Sequence, residues 1–276
     1  MYTQPTTEKP KPAGRITLGH LQKLYRENEK ITMVACYDAT GAAVVEGAGV
    51  EIILVGDSLG MLVQGGESTL SVSLEDSVYH TRCVARGAKR AVVLGDMPFG
   101  SYQTSPQQAF ENAAKLMAAG AHMIKLEGGA LMAETVAFLS TRGIPICGHL
   151  GLTPQSVNAL GGYKVQGKTV DAAQRVVDDA KALEAAGAVM VVLEAIPTAL
   201  GKSITEAVSI PTIGIGAGPD CSGQILLLYD MLDFFPGRKA KFVKNFLAGA
   251  PSIGAAVETF VREVKSGAFP SPEYCY

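Results

Sequence analysis

Short apolar runs, rich in β-branched residues, alternate along this chain with alanine-rich stretches, and this alternation constrains the fold most. Each run has four to seven residues of almost continuous apolar character, which is typical of strands buried on both faces of a parallel sheet. The predicted strands are Ile31–Cys36, Glu51–Val55, Ala91–Gly95, Ala121–Glu127, Ile144–His149, Ala188–Glu194, Thr212–Ile215 and Gln224–Leu228. About eight strand–helix units in roughly 250 residues predict an α/β protein with a (β/α)₈ barrel, and a doubly wound sheet is the alternative.

Amphipathic helices are predicted at Ser105–Ala119, Thr169–Ala186, Thr198–Val208 and Lys239–Ser266. The first begins with Ser-Pro, a capping residue followed by proline at the first helical position. Two helices end in Ala-Ala-Gly-Ala, at 118–121 and 185–188, where the glycine can take the left-handed conformation. No break in composition divides the chain. We therefore expect one catalytic barrel domain at 15–270, after a flexible or partner-contacting arm at 1–14 and before a loose tail at 271–276.

The composition excludes several classes of protein. The 24 basic residues nearly balance the 26 acidic ones and form no long run, which argues against nucleic acid or an anionic membrane surface as a partner. The sequence has no apolar stretch of the roughly 18 residues that a membrane span needs, and no signal-peptide core near its start. Five scattered cysteines without a CxxC pair indicate free thiols and a cytoplasmic protein. Charged residues, at 18%, are few, which suggests that partner subunits cover part of the surface.

Polar residues follow the predicted strands at their carboxyl ends, where a barrel carries its catalytic groups. Side chains alternate along a strand, so Lys125 and Glu127 share one face of the fourth strand. The full set is Asp57, Asp96, Lys125, Glu127, His149 and Glu194. Each alone has a structural interpretation, as a helix cap, a salt bridge or a hydrogen-bonded core histidine. Together they would crowd four carboxylates and a lysine at one mouth, which is costly unless a cation or an anionic substrate organises them.

Three of these carboxylates, without clustered His or Cys, suit an oxygen-preferring ion, Mg²⁺ before Zn²⁺. Because Mg²⁺ usually takes one or two carboxylates directly, we expect Asp57 and Asp96 as direct ligands and Glu127 as a direct or water-mediated one. A 2-oxo acid could fill two further positions, and the ion would stabilise the charge on its keto oxygen when a neighbouring carbon loses a proton. Lys125 could balance the substrate carboxylate, and Glu194 could act as the base if burial keeps its pKa near the working pH.

Two further segments are rich in glycine. Ile213–Gly218 follows the seventh strand, but its spacing is not GxGxxG, so a dinucleotide site is not expected. This segment can form a phosphate cradle, a tight turn or a surface open to a bulky second substrate. The tight turn and the open surface are favoured. Gly148–Gln155 and Gly161–Gly167 indicate a long ordered loop after the fifth strand that can close the site.

At these residues the chain resembles the ketopantoate hydroxymethyltransferase (3-methyl-2-oxobutanoate hydroxymethyltransferase) family. The matching blocks run in family order and are Val55–Gly60, Gly95–Phe99, Ile124–Gly129, Gly148–Ser156, Gly161–Gly167, Leu193–Glu194, Ile213–Gly218 and Lys241–Leu247. The resemblance covers nearly the whole chain, from about Ile16 to Ser266. The departures are a longer N-terminal arm and the segment Asp233–Arg238, neither of which belongs to the expected site.

The resemblance implies a (β/α)₈ TIM barrel of the phosphoenolpyruvate/pyruvate type that depends on Mg²⁺ and forms a homo-oligomer, often a decamer. The implied reaction moves a hydroxymethyl group from 5,10-methylenetetrahydrofolate to 3-methyl-2-oxobutanoate through a metal-stabilised enolate. It gives 2-dehydropantoate for pantothenate and coenzyme A synthesis. The matching positions imply Asp57, Asp96 and Glu127 as Mg²⁺ ligands. They imply Asp57, Ser58, Asp96 and Lys125 as contacts of the 2-oxo acid, and Glu194 as the proton acceptor.

Two other functions remain open. A lyase or mutase of the same barrel group usually carries a reactive cysteine in a short mobile loop, and neither Cys147 nor Cys221 has such a context. A non-catalytic 2-oxo acid sensor would bind its ligand without exchanging the C3 hydrogen, whereas a transferase would exchange that hydrogen for deuterium when Mg²⁺ is present.

Overall fold

The computed structural model describes residues 14–276, in which eight parallel strands close into a barrel with β8 paired to β1. The strands are β1 (Ile31–Ala35), β2 (Ile52–Val55), β3 (Val92–Asp96), β4 (Met123–Glu127), β5 (Ile146–Gly151), β6 (Met190–Glu194), β7 (Thr212–Ile215) and β8 (Gly223–Leu227). The predicted (β/α)₈ barrel is therefore confirmed, and the doubly wound alternative is wrong. The predicted arm at 1–14 lies, apart from Gly14, outside the described residues.

The helices within residues 14–276 are α1 (Leu18–Arg26), α2 (Ala39–Gly47), α3 (Leu59–Leu62), α4 (Leu74–Gly87), α5 (Pro106–Ala119), α6 (Ala133–Ser140), α7 (Val170–Ala185), α8 (Thr198–Ala207), α9 (Leu228–Met231) and α10 (Ile253–Ser266). Three predicted helices are confirmed as α5, α7 and α8. Ser105 caps α5, since its side chain accepts the backbone N–H of Gln108. Gly120 and Gly187 take φ values of 114° and 98°, which is the left-handed turn predicted at both helix ends. None of the helices in this part of the chain is long and apolar enough to span a membrane.

The predicted helix Lys239–Ser266 is wrong in its first half, because the structure is helical only from Ile253 onward. The backbone takes a left-handed conformation at Gly249, where φ is 78°, and Pro251 cannot donate a helical hydrogen bond. Ser252 then caps α10 by accepting the backbone N–H of Ala255. The preceding residues form an irregular segment that lines the barrel mouth instead of lying along a helix.

Residues 271–276 pack against the barrel, in contrast to the loose tail expected from the sequence. The side chain of Cys275 is buried, and the backbone N–H and hydroxyl of Thr198 donate to the carbonyl oxygen of Tyr276 at 2.8 and 3.0 Å. The ring of Tyr276 also meets the ring of Phe242 edge to face. These contacts hold the tail at the carboxyl end of the strands, beside the mouth of the barrel.

All residues of the first four strands are buried, as their continuous apolar character predicts. The strand register then sets which polar residues become neighbours at the mouth. Asp96 on β3 pairs with Lys125 on β4, and Glu127 on β4 pairs with His149 on β5. Glu194 ends β6 one strand further along. The barrel closure therefore gathers residues that lie far apart in the sequence.

Candidate active site

Six polar side chains from five consecutive strand ends line one cavity of about 150 Å³, which we call the inner cavity. They are Asp57, Asp96, Lys125, Glu127, His149 and Glu194. All but Glu194 are buried; the side chain of Glu194 is 16% exposed. The structure thus brings together every strand-end residue that the sequence singles out, at the end of the barrel where the fold carries catalytic groups.

Lys125 and Asp96 form the closest ion pair of the site. The ammonium of Lys125 donates to both carboxylate oxygens of Asp96, at 2.9 and 2.8 Å, and lies 3.6 Å from Glu127 Oε1. Burial alone would lower the pKa of Lys125, but the charges of Asp96, Glu127 and Asp57 raise it well above its usual value. Lys125 is therefore a fixed positive charge at the floor of the cavity.

Asp57 is a buried carboxyl group beside the carboxylate of Asp96. Burial and the nearby charge of Asp96 raise its pKa to about 8, although Lys125 and a hydrogen bond from Gln155 oppose the shift. Its backbone N–H donates to Asp96 Oδ2 at 3.0 Å, so the two acidic residues are held side by side. Without a cation, a proton therefore occupies the Asp57 carboxyl group at neutral pH.

His149 lies between two carboxylates from neighbouring strands. Its Nδ1 is 3.1 Å from Glu127 Oε1, and its Nε2 is 3.2 Å from Glu194 Oε2, an ion-pair contact without hydrogen-bond geometry. Burial and Lys125 lower the pKa of His149, but the two carboxylates outweigh them and raise it to about 9. His149 is thus positively charged at neutral pH and joins Glu127 to Glu194. For Glu127 itself burial favours protonation, yet Lys125 and His149 bring its pKa below the usual value.

The charges of this cluster and its oxygen donors fit a divalent cation. Once ionised, the four strand-end carboxylates exceed the neighbouring cations, Lys125 and protonated His149, by two charges. Within residues 14–276, no three His, Cys, Asp or Glu side chains form a complete ligand cluster, so substrate or water would supply the remaining ligands. Asp57 and Asp96, side by side on adjacent strands, are the pair that can hold the ion. An all-oxygen, partly protein-derived ligand set is what Mg²⁺ prefers.

Gln155 connects this cluster, and sequence reasoning did not identify it. Its side-chain amide donates to Asp57 Oδ2 and to the carbonyl oxygen of Met97, both at 2.9 Å, and accepts the hydroxyl of Tyr102 at 2.7 Å. Its backbone N–H donates to Glu127 Oε2 at 3.0 Å. The only sequence signal for this role is the position of Gln155 in the loop that directly follows β5.

A second cavity of about 620 Å³ opens outside the first, and we call it the outer cavity. Seven residues line both cavities and so mark their boundary: Ser58, Met61, Tyr163, Glu194, Leu227, Asp230 and Phe242. Ser58 shares a 2.8 Å hydrogen bond with the hydroxyl of Tyr37, which fixes its side chain on this boundary. Tyr163 lies in the long loop after β5, the segment expected from the sequence to be able to close the site. Its ring is half exposed.

The glycine-rich segment after β7 is a tight turn beside the outer cavity. Gly216 has φ of 65°, and a β-carbon there would lie 2.9 Å from ring atoms of both Phe242 and Tyr276. Glycine is therefore required for these two aromatic rings to approach the turn. The backbone of this segment therefore adopts the predicted tight turn.

Fold and site together define a TIM-barrel enzyme with its polar groups at the carboxyl ends of the strands. Known structures with this architecture include a putative phosphonomutase from Burkholderia cenocepacia J2315, with a TM-score of 0.63 and 17% identity over 78% of this chain and 94% of that one. A 2,3-dimethylmalate lyase, described as a member of the PEP mutase/isocitrate lyase superfamily, has a TM-score of 0.53 and 12% identity over 76% of this chain and 80% of that one. These likenesses, at 17% and 12% identity, confirm the (β/α)₈ barrel fold.

Sequence similarity identifies the family of the chain, which the likeness of fold does not. The model of the ketopantoate hydroxymethyltransferase family matches residues 15–272, and the chain belongs to this family. A protein of Chromobacterium violaceum named 3-methyl-2-oxobutanoate hydroxymethyltransferase is 60% identical over 95% of this chain and all of its own length. One of the same name from Nitrosospira multiformis is 59% identical over the same shares. The chain is thus a transferase enzyme, and its family decides against the lyase, mutase and sensor alternatives.

Proposed function

We propose that this enzyme transfers a hydroxymethyl group from 5,10-methylenetetrahydrofolate to 3-methyl-2-oxobutanoate and forms 2-dehydropantoate for pantothenate and coenzyme A synthesis. The overall reaction consumes one water, whose oxygen becomes the new hydroxyl group, and releases tetrahydrofolate. The observation that carries the proposal is the convergence of buried carboxylates, Lys125 and His149 in one small cavity, in a chain whose relatives bear the name of this activity. The barrel at 15–270 would be the catalytic domain.

Asp57 and Asp96 are proposed to hold Mg²⁺ directly, with Glu127 as a direct or water-mediated ligand. A bound Mg²⁺ would stabilise the negative charge that develops on the keto oxygen when the 2-oxo acid loses a proton. Gln155 supports this role, because its hydrogen bonds to Asp57 and Glu127 hold both carboxylates in place before substrate arrives. The pKa of about 8 at Asp57 supports it too, since a cation would replace the proton that otherwise neutralises this group.

Lys125 and Ser58 are proposed to contact the 2-oxo acid together with Asp57 and Asp96. The ammonium of Lys125 has a strongly raised pKa, so it stays charged and can attract the substrate carboxylate in a site that is otherwise acidic. Apolar side chains, among them Val192, Ile215 and Ile225, form part of the wall of the inner cavity. Such a wall suits the two methyl groups on C3 of the proposed substrate.

Glu194 is proposed to accept the proton from C3. It is the least buried of the strand-end carboxylates and lies on the boundary between the inner and outer cavities. Its carboxylate can therefore take a proton from a 2-oxo acid in the inner cavity, on the side from which a one-carbon donor would approach. The contact with His149, at 3.2 Å, holds this carboxylate in place.

A cytoplasmic homo-oligomer, with the decamer as the form that the family resemblance implies, is proposed for the assembly. The low fraction of charged residues and the exposed apolar side chains of Leu131 and Val170, 97% and 86% accessible, support contact with further subunits. Sedimentation at micromolar concentration tests this assembly, and a monomer would contradict it.

The function is tested by incubating the enzyme with 3-methyl-2-oxobutanoate and 5,10-methylenetetrahydrofolate, with and without a chelator. We expect 2-dehydropantoate to form only without the chelator. In deuterated water with Mg²⁺ and no folate, the C3 hydrogen should exchange. Binding of the 2-oxo acid with neither exchange nor product would refute the proposed reaction.

A further inference from the structure

The outer cavity is several times larger than the inner one and is built from different parts of the chain. Its volume of about 620 Å³, against about 150 Å³, exceeds what a small 2-oxo acid needs and lies within the range of drug-sized ligand sites. Because it shares Glu194 with the inner cavity, a molecule that fills it has one end at the proposed proton acceptor.

The walls of the outer cavity are aromatic on several sides. They include the rings of Tyr163, Phe235, Phe242 and Tyr276. Phe242 and Tyr276 meet edge to face, with ring centroids 6.5 Å apart, beside the turn at Gly216. Aromatic walls favour a ligand with flat rings, which they can contact over a large area.

Two acidic residues of the outer cavity, but none of the cations of its lining, also line the inner cavity. Glu194 and Asp230 line both cavities and so lie at its inner end. Lys164 and Arg238 line only the outer cavity, are exposed, and come from two different loops, after β5 and after α9. A ligand that matches this pattern has a positively charged end toward Glu194 and a negatively charged end toward the two cations.

Lys164 and Arg238 differ from the other two cations that line this cavity. Lys239 contacts Asp233, and the ammonium of Lys241 donates to the carbonyl oxygen of Cys275. Neither Lys164 nor Arg238 has a carboxylate within 4.0 Å anywhere in residues 14–276. Their charges are therefore available to a ligand.

We propose that Lys164 and Arg238 form a carboxylate-binding pair for the glutamyl tail of the folate co-substrate. The inference rests on the proposed function, since it takes the occupant of the outer cavity to be the one-carbon donor. The donor's iminium form is positive at the reacting end, its ring system is flat, and its tail ends in carboxylates, so each part meets its complement in the cavity. Each additional γ-linked glutamate adds a carboxylate, so binding should strengthen with tail length.

The test compares Lys164→Gln, Arg238→Gln and the double variant with wild type, using 5,10-methylenetetrahydrofolate with one or with three glutamates. Matched controls are Lys168→Gln, in the same loop as Lys164, and Arg175→Gln on α7; both are exposed and outside the cavity lining. We expect KM for the monoglutamate to rise about two- to fivefold in each single variant and about tenfold in the double variant, the range for exposed ion pairs.

In wild type the triglutamate should have the lower KM, and this advantage should shrink at high salt and disappear in the double variant. Thermal melting of every variant serves as the folding control. Product formation with an unchanged KM in the double variant, or an equal rise in the two controls, would overturn the carboxylate-binding pair and leave the proposed function standing. Failure of wild type to form product from either folate would overturn both.

Discussion

In the inner cavity the charged side chains on the strand ends are nearly all buried, whereas in the outer cavity Lys164 and Arg238 lie on loops and are exposed. Asp96 and Lys125 are held by strand register, and Gln155 adds hydrogen bonds that fix Asp57 and Glu127. Lys164 and Arg238 have no such framework. The barrel therefore pre-organises the groups proposed for chemistry, while the loops supply adjustable contacts for a larger molecule.

This contrast predicts that substitutions in the inner cavity change rates by orders of magnitude, whereas those at the rim of the outer cavity change affinity a few-fold. Glu194→Gln should have the largest effect. It removes the proposed base, so C3 deuterium exchange should fall about 10²- to 10⁴-fold. The affinity for 3-methyl-2-oxobutanoate, measured by calorimetry with Mg²⁺, should stay within about threefold of wild type, because glutamine keeps the shape of the side chain.

Glu206→Gln is the matched control for that prediction, since Glu206 lies on α8 with a largely exposed side chain and should leave exchange unchanged. A loss of substrate binding in Glu194→Gln as large as its loss of exchange would assign Glu194 a structural role.

Asp96→Ala should reduce Mg²⁺-dependent affinity for the 2-oxo acid at least about tenfold, because it removes one of the two proposed direct ligands. It should also lower the free energy of unfolding by about 3–5 kcal/mol, since Lys125 loses its closest buried partner. Titration of the 2-oxo acid with and without Mg²⁺, together with chemical denaturation, measures both effects. An unaltered response to Mg²⁺ would remove Asp96 from the ligand set.

Gln155→Leu should weaken Mg²⁺ binding about 10- to 100-fold without removing a proposed ligand, as is typical of groups that orient metal ligands. The substitution deletes the amide that donates to Asp57 and Met97 and accepts from Tyr102. Calorimetric titration with Mg²⁺ measures the loss, and Gln174→Leu, on the exposed face of α7, is the control. Equal Mg²⁺ affinity in Gln155→Leu and wild type would show that the ligands are positioned without this network.

The pH dependence of Mg²⁺ binding should show a smaller effect. With its pKa raised to about 8, Asp57 is protonated below that pH and must lose the proton to bind a cation. The Mg²⁺ affinity should therefore fall by up to about tenfold per unit as pH decreases below 8. Calorimetry in buffers of different ionisation enthalpy should detect the released proton. In Asp57→Asn the proton release should vanish, and a wild-type affinity that does not vary between pH 6 and 8 would contradict this description of Asp57.

The raised pKa of Asp57 should also make the stability of the metal-free protein depend on pH. The pKa of Asp57 is raised on folding, so the folded state retains a proton that the unfolded chain releases near pH 4. The contribution of Asp57 to the free energy of unfolding is complete below that pH and is lost as pH rises toward 8. His149, with its pKa raised to about 9, likewise contributes stability that is lost as pH rises above 6.5. Denaturation curves should therefore show declining stability from pH 5 to 9, and a rise over this interval would be inconsistent with both shifts.

Much of the barrel and of the inner cavity could be predicted from the sequence, because both depend on regular strands. Continuous apolar runs located the strands, and the two-residue alternation placed Lys125 and Glu127 on one face. Closure of the barrel then brought the strand ends together. This part of the molecule follows from local periodicity and one topological rule.

The parts that could not be predicted depend on irregular backbone. The segment before α10 has an amphipathic pattern, but Gly249 and Pro251 interrupt the predicted helix. Residues of this segment line the outer cavity instead. Gln155 carries no periodic signal, since a loop sets its hydrogen bonds to residues about 30 to 100 positions away. The ordered tail depends likewise on tertiary contacts, such as that of Thr198 with Tyr276.

The strand-end carboxylates are proposed to bind a divalent cation together with a 2-oxo acid. A crystal structure with Mn²⁺ in place of Mg²⁺ and with 3-methyl-2-oxobutanoate, with data collected at the manganese absorption edge, tests this proposal most directly. We expect one anomalous peak in contact with Asp57 and Asp96, with the keto and carboxylate oxygens of the substrate completing its ligands and C3 facing Glu194. A substrate bound in the inner cavity with no anomalous peak between these carboxylates would contradict the proposal.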